Sequence, residues 1–180
     1  VVGTGLTTPK LYVDGVLVAA TYNATTGTLT PDVALTPGGN RVFTYTVSDA
    51  AGNESQQSAG LSINIDIAPP ANSAAVTGLV DNVGTITGNV ASGGTTDDQS
   101  LTVTGTLGGA TAGASLASGE TVRIYDGATY LGNATVSVVG SGQSTWSYID
   151  TRTLDNGQNV SYTAQVADNA LNQSAAGPAY

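Results

Sequence analysis

The sequence contains no cysteine, no histidine and no methionine, and only four of its 180 residues are basic. Without histidine or cysteine the chain has no imidazole base, no thiolate nucleophile and none of the nitrogen and sulfur ligands that zinc and copper prefer. Serines and threonines are abundant, but a hydroxyl nucleophile is inert without a neighbouring base. Most hydrolytic and redox chemistry is thereby excluded, and we expect the chain not to be an enzyme.

Positive charge is scarce as well. Thirteen acidic residues, eleven of them aspartates, oppose the four basic ones and give a net charge of −9. Such a chain repels nucleic-acid phosphates and anionic lipid headgroups, so we expect no nucleic-acid partner and no direct membrane contact. Carboxylate oxygens are, by contrast, the natural ligands of a hard divalent cation.

Long apolar runs are also missing. No stretch of 18 apolar residues occurs, no basic segment leads into an apolar one, and the sequence does not begin with methionine. We expect the chain to be a piece of a longer protein. The lack of cysteine is compatible with a location on the exterior of a bacterium.

What the sequence does contain is a series of short, alternating, β-branched stretches separated by turn motifs such as Asp14-Gly15 and Asp126-Gly127. Alternation with a period of two predicts strands that have one buried face. No segment keeps a helical period. The sequence therefore predicts an all-β fold of the sandwich type. The predicted strands include Lys10–Val13, Val42–Val47, Leu61–Ile67, Thr121–Tyr125, Tyr130–Ser137 and Val160–Val166, and a final strand is expected after Ser174.

An internal repeat becomes visible when these turns are aligned. Leu35–Ser55 superimposes on Leu154–Ser174 without a gap, at an offset of 119 residues. Within it Phe43 meets Tyr162, Asp49 meets Asp168 and Asn53 meets Asn172. We predict two homologous domains, 1-68 and 69-180, divided near Pro69-Pro70 because two prolines end a strand and stiffen the connection. The first domain is predicted to lack its first strand and the second its last, and Val2–Thr4 matches the second strand of the other copy only approximately.

The order of these motifs resembles the bacterial immunoglobulin-like tandem repeats of giant surface adhesins of the biofilm-associated and repeats-in-toxin type. One departure is Leu171, which stands where the corresponding loop of the first copy has Gly52. The motifs that carry the resemblance are Asp81–Gly84, Thr96–Asp98, Thr104–Thr106, Val122–Gly127, Leu131-Gly132, Trp146–Tyr148, Leu154–Gly157 and Ala167–Asn172.

The resemblance implies a structural extender in the stalk of a secreted, extracellular protein on the bacterial cell surface, active in cell adhesion or biofilm formation. It also implies that Ca²⁺ stiffens the joints between domains. The expected partners are neighbouring immunoglobulin-like repeats of the same chain, with a host or biofilm-matrix ligand contacted by other regions. Two alternatives stay open: a module that binds a glycan or host protein through loops such as Gly108–Glu120, and an accessory domain of a secreted enzyme.

Candidate calcium ligands follow from sandwich topology, in which successive strands run between two poles of the domain. The loop with Asp168 and Asn169 is expected beside the linker that leaves Asp66, with Asp81 close to the same joint. Asp97 and Asp98 have two possible placements. If the segment between Asp81 and Asp98 folds back, these three acids form one site within the domain; otherwise Asp97 and Asp98 face a following repeat, together with Asp126. Asp49 and Asn53 are expected to face a preceding domain.

Asp and Asn in turns also accept hydrogen bonds from nearby backbone N–H groups, which alone accounts for an aspartate at such a position. This explanation competes evenly with metal binding at Asp49 and Asp168, and we prefer it for Asp14, Asp126, Asp150 and Asp155. For the adjacent pair Asp97-Asp98 we prefer metal binding, because neighbouring like charges repel. Trp146 is predicted to anchor the core of the second domain, and core or cross-strand packing is predicted for Phe43, Tyr45, Tyr125 and Tyr162. Lys10 is predicted to be a surface residue.

Overall fold

A computed structural model describes residues 5, 8–85, 87–108, 115–138 and 144–180. All regular structure within these ranges is β-strand, which confirms the predicted all-β class. Among these residues no helix is long and apolar enough to cross a membrane. The chain divides into two compact units, Val1–Ile67 and Ala68–Tyr180, one residue from the boundary expected at Pro69-Pro70.

The first unit contains a four-stranded antiparallel sheet in the order β2-β1-β5-β6 and a separate hairpin of β3 and β4. A two-residue turn joins β1 to β2, and Asp14 and Gly15 both have positive φ there (52° and 79°). Asx-Gly pairs favour this turn, which explains why the hairpin forms where it does. The strands are β1 (Lys10–Val13), β2 (Val16–Val18), β3 (Ala20–Asn23), β4 (Thr28–Pro31), β5 (Asn40–Thr46) and β6 (Leu61–Asn64).

The second unit contains two antiparallel sheets, one of five strands in the order β12-β13-β9-β7-β8 and one of three in the order β11-β10-β14. The two sheets share one hydrophobic core, an arrangement consistent with a β-sandwich. The strands are β7 (Ser73–Asp81), β8 (Gly88–Val90), β9 (Thr102–Gly108), β10 (Thr121–Asp126), β11 (Thr129–Asn133), β12 (Thr135–Ser137), β13 (Thr145–Ile149) and β14 (Tyr162–Ala167).

The core of the second unit is built from the inward side chains of both sheets, as alternation along β9, β10 and β14 predicts. Trp146 is 2% exposed and packs flat against Gly105, where a Cβ atom would lie only 2.0 Å from the indole ring. The prediction that Trp146 anchors a core is confirmed. Tyr162, Ala164 and Val166 of β14 are all fully buried.

The equivalent face of the first unit is far less covered. Tyr45 and Leu61 are 51% and 61% exposed, although Tyr45 pairs with the buried Leu11 in the sheet. Of the two roles predicted for Tyr45, the structure shows the cross-strand position opposite Leu11 and not a place in a core. Alternation correctly gives the face on which Tyr45 lies, but a face is buried only where a second layer covers it. The predicted strand residues Val2–Thr4 lie outside the described residues.

Two further strand predictions need correction. A single strand expected over Tyr130–Ser137 is two strands, because β11 pairs with β10 while β12 leaves that sheet and pairs with β13. The final strand expected after Ser174 is not a regular strand. Its backbone nevertheless follows β14, since Gly177 N–H donates to Ala164 and Tyr180 exchanges both backbone bonds with Tyr162.

Candidate functional site

The loop that follows β5 is organised around the carboxylate of Asp49. One Asp49 oxygen accepts the backbone N–H groups of Ala51 (2.9 Å) and Asn53 (2.8 Å), and the other accepts Asn53 Nδ2 (2.9 Å). Backbone bonds close the loop between Asp49 and Asn53, and Gly52 takes a φ of 89°. One aspartate thus supplies three acceptor contacts to a five-residue turn.

The second unit repeats this loop almost bond for bond after β14. Asp168 accepts the N–H groups of Ala170 (2.8 Å) and Asn172 (2.9 Å) on one oxygen, and Asn172 Nδ2 (2.9 Å) on the other. Leu171 occupies the position of Gly52 and adopts a φ of 66°, which costs a residue with a side chain about 1–2 kcal/mol. The tight loop geometry therefore survives the loss of glycine.

These contacts hold the charged form of both carboxylates. The side-chain hydrogen bond from Asn53 is the largest cause that lowers the pKa of Asp49, and the bond from Asn172 does the same for Asp168. Both shifts are the expected effect of hydrogen bonds to an ionised acid. The turn explanation accounts for the placement of both side chains, and metal binding by Asp49, Asn53 and Asp168 stays a prediction.

Asp168 and Asn169 lie at the end of the second unit where β7 begins. Asn169 packs against Gly119, at which a Cβ atom would lie 2.0 Å from the Asn169 amide nitrogen. The neighbouring Glu120 accepts a 2.8 Å hydrogen bond from Asn72, which directly precedes β7. This loop therefore lies at the pole where the chain enters the unit, as expected. Asp66 lies near the end of the first unit, and its sharing a site with Asp168 stays a prediction.

Asp81 lies at the other pole, because it ends β7, about 25 Å of strand away from Ser73. Its expected position beside Asp168 is therefore wrong. The segment that follows folds back through β8, as the first of the two alternatives requires, and a single metal site formed by Asp81, Asp97 and Asp98 stays a prediction. Thr96 Oγ1 donates to Asp81 (2.5 Å) and lowers its pKa, while Asn82 N–H donates to Asp98 (3.1 Å). Asp81 and Asp98 thus belong to one network, in which each carboxylate also accepts a backbone N–H two residues further on.

Asp97 differs from its neighbours. Its carboxylate touches the backbone of Gly84, where a Cβ atom would lie 2.3 Å from an Asp97 oxygen, and within the described chain it accepts no hydrogen bond. The described residues include no group of three or more acids close enough together to hold a metal ion. A calcium ion at this pole would therefore need additional oxygen ligands from backbone, amides or a neighbouring domain.

The sequence analysis missed a buried ionic cluster in the second unit. Asp150 is fully buried and accepts Arg152 Nη2 (2.6 Å) and the Tyr162 hydroxyl (2.6 Å), while Arg152 also contacts Asp126 (3.0 Å). Burial raises the pKa of Asp150, but the hydrogen bonds from Arg152 and Tyr162 outweigh it and lower the pKa overall. The repeat contained a partial signal for this cluster, because Phe43 stands where Tyr162 supplies its hydroxyl.

The first unit has its own ionic cluster at a different place. Glu54 accepts Lys10 Nζ (2.6 Å), the Tyr12 hydroxyl (2.7 Å) and Thr46 Oγ1 (2.5 Å). The bond from Lys10 is the largest cause that lowers the pKa of Glu54 to about 2. In the second unit Gln173 stands in place of Glu54 and donates to the Tyr125 hydroxyl (2.8 Å). The second unit therefore keeps the contact with a tyrosine hydroxyl, but between two uncharged side chains.

No protein-family model and no curated protein match this chain. The resemblance to adhesin repeats therefore rests on the motifs in the sequence. Residues 109–114 of the alternative binding loop at Gly108–Glu120 lie outside the described residues.

Proposed function

We propose that the chain is a structural extender module of a secreted bacterial cell-surface adhesin, built from two immunoglobulin-like domains in tandem and without enzymatic activity. The observation that carries the proposal is the repetition of the aspartate loop with the same hydrogen bonds in both units. A molecule that gains length by adding copies of one domain is expected to show such repetition.

The strand pairing around this loop supports the same proposal. Lys10 pairs with Thr46 in the first unit as Arg123 pairs with Gln165 in the second, which continues the repeat across two neighbouring strands. Ser55 and Ser174 stand at the repeat offset of 119 residues, and each donates its backbone N–H to the carbonyl of the residue eight positions earlier. Pro69-Pro70 then connects the units through a short, stiff segment. Neighbouring repeats of the same chain are the proposed partners.

Calcium is the proposed cofactor, bound where the acids of one domain meet the next. Asp66, Asp168 and Asn169 are the proposed ligands at the joint between the two units. Asp81, Asp97 and Asp98 are the proposed ligands at the far pole of the second unit, and Asp49 and Asn53 those toward a preceding domain. Asp97 supports calcium binding most strongly. Its carboxylate accepts no hydrogen bond from the described residues, so both oxygens can bind an ion.

Calorimetric titration of the whole chain with CaCl₂ tests the calcium assignment. We expect heat of binding in the native chain, and a melting temperature that rises with calcium concentration because the ion binds the folded state. Asp97→Asn should weaken binding at the far pole and Asp168→Asn binding at the joint. Asp32→Asn is the matched control, since it removes the same charge from an exposed carboxylate whose one hydrogen bond to a described residue comes from Thr21.

A titration without heat and without a change in melting temperature would contradict the calcium assignment. Equal loss of binding in Asp32→Asn and Asp97→Asn would show that calcium responds only to net charge and binds at no defined site.

A further inference from the structure

The outer face of the three-stranded sheet in the second unit carries one cation and two aromatic rings. Val122 and Ile124 of β10 are fully buried, so Arg123 and Tyr125, which alternate with them, lie on the outer face. Tyr130 of β11 pairs with Tyr125, and the centroids of the two rings are 5.5 Å apart. The guanidinium carbon of Arg123 lies 4.1 Å from the centroid of the Tyr130 ring, and Tyr130 is 43% exposed.

Arg123 differs from the other basic residues in having no acidic partner. The other three basic residues each form an ion pair: Lys10 with Glu54, Arg41 with Asp14, and Arg152 with Asp126 and Asp150. All thirteen acidic residues of the sequence are among the described residues, and Arg123 forms neither an ion pair nor a hydrogen bond with any residue that the structure describes. A chain with a net charge of −9 thus has one guanidinium whose N–H donors are available to a ligand.

The first unit shows which chemical group binds at this place. Lys10 and Tyr12 of β1 occupy the positions of Arg123 and Tyr125, as the pairing of each strand with its neighbour shows. There the Glu54 carboxylate accepts hydrogen bonds from Lys10 Nζ (2.6 Å) and from the Tyr12 hydroxyl (2.7 Å). A cation and a tyrosine hydroxyl at these two positions therefore bind a carboxylate.

The second unit does not supply that carboxylate itself. Gln173 stands in place of Glu54, and its Nε2 donates to the Tyr125 hydroxyl (2.8 Å), whose own proton has no acceptor among the described residues. The exposed ring of Tyr130 stands where the first unit has Leu17, since each pairs with the equivalent tyrosine. The second unit thus keeps the two donors, lacks the carboxylate and gains an aromatic surface beside them.

We propose that Arg123, Tyr125 and Tyr130 form a docking site for an acidic segment of another protein, in which one Asp or Glu side chain takes the place that Glu54 fills in the first unit. The carboxylate of the partner accepts hydrogen bonds from the Arg123 guanidinium and the Tyr125 hydroxyl, and bonds of this charge-assisted kind are the strong ones. The residues beside it pack against the exposed ring of Tyr130.

The composition of this face favours a protein segment as the ligand. Tyrosine and arginine are the residues that most often dominate the energy of protein interfaces. One cation matches one carboxylate, whereas the net charge of −9 repels a polyanion such as a nucleic acid. The site lies on strands and not in the loop Gly108–Glu120, and the inference depends neither on calcium binding nor on the extender function.

Selection from a phage-displayed library of short random peptides tests the proposal. The library is first depleted on the Arg123→Gln variant and then selected on the immobilised native chain, so that the peptides recovered depend on Arg123. We expect these peptides to contain Asp or Glu. In synthetic copies, replacement of that residue by Asn or Gln should weaken binding at least about tenfold, measured by fluorescence anisotropy.

Two variants and a matched control locate the binding. Arg123→Gln removes the cation, and Gln173→Glu supplies an internal carboxylate while Arg123 stays in place, so each should weaken peptide binding at least about tenfold. Lys10→Gln is the control, because it removes a cation from the equivalent position of the first unit, where Glu54 already pairs with it, and binding should not change. Melting followed by fluorescence of Trp146, the only tryptophan, shows whether the second unit stays folded in the variants.

Three results would overturn the proposal: no peptide enriched after depletion, enriched peptides that keep their affinity when their acidic residue becomes an amide, or native affinity in Gln173→Glu. Binding of an oligogalacturonate that depends on Arg123, without any enriched peptide, would assign the site to an acidic sugar and would also overturn it.

Discussion

The two units share a loop but differ in how they are packed. The loop around Asp49 and the loop around Asp168 have the same hydrogen bonds, yet the first has Gly52 at a left-handed position where the second has Leu171. The strand before the first loop exposes half of Tyr45, whereas the strand before the second buries Ala164 completely. The aspartate and the asparagine therefore determine the loop, and neither a glycine nor a closed core is needed to form it.

The units also place their ionic contacts differently. The first joins Glu54 to Lys10 at the surface, while the second buries Asp150 beneath Arg152 and Tyr162. A surface ion pair contributes at most about 1 kcal/mol, whereas loss of one partner from a buried pair costs about 3–5 kcal/mol. The second unit therefore depends on its ionic cluster, and the first does not.

The largest expected effect is that of Asp150→Ala. It leaves Arg152 and the Tyr162 hydroxyl without their shared acceptor, and we expect the second unit to lose about 3 kcal/mol. Urea unfolding followed by Trp146 fluorescence measures the loss. Asp155→Ala in the same unit is the control, because its carboxylate is exposed and its replacement should change stability by less than about 0.5 kcal/mol. Similar losses in both variants would show that the buried cluster is not what distinguishes the second unit.

Asp168→Ala and Asp49→Ala should have smaller effects that resemble each other. Each removes the acceptor of three hydrogen bonds, and we expect the unit concerned to lose less stability than Asp150→Ala removes from the second unit. Hydrogen exchange at the amides of Ala170 and Asn172, and of Ala51 and Asn53, reports the opening of each loop. A large effect in one unit and none in the other would break the equivalence of the two loops.

Leu171→Gly should stabilise the second unit by about 0.5–1 kcal/mol. Glycine adopts the left-handed conformation there without the steric strain that leucine has. It also increases the entropy of the unfolded chain, which offsets part of this gain. The reverse change, Gly52→Leu, should destabilise the first unit by a comparable amount. If chemical denaturation shows that Leu171→Gly destabilises instead, the Leu171 side chain makes a favourable contact that outweighs the strain.

The smallest expected effect is on the stability of the first unit at low pH. The pKa of Glu54 falls from 4.5 to about 2 on folding, so its contribution is complete above pH 4.5 and disappears as the pH falls toward 2. Glu54→Gln, which copies Gln173, should remove this part of the pH dependence from the first unit. Denaturation of the first unit, followed by its amide signals at pH 2 to 6, measures the difference. An unchanged acid profile in the variant would contradict the role of Glu54.

The strands, the internal repeat and the two aspartate loops could be predicted from the sequence, because each depends on a local pattern of residues. Alternation predicted β1 and β10, and the alignment of Asp49 with Asp168 predicted two equivalent turns. The cluster of Asp150 escaped because Tyr162 lies twelve residues away and only folding brings the two together. The exposure of Tyr45 and the position of Asp81 escaped for related reasons, since alternation shows neither which layer covers a face nor where a long strand ends.

Small-angle X-ray scattering of the whole chain, recorded with CaCl₂ and again after chelation, tests whether calcium stiffens the joint between the two units. If the chain is a calcium-stiffened extender, the calcium-bound chain will scatter as one elongated shape with a defined maximum dimension, and chelation will broaden the distribution of distances. An unchanged profile would show that Asp66 and Asp168 act as turn residues only, and would contradict the claim that calcium stiffens the joint.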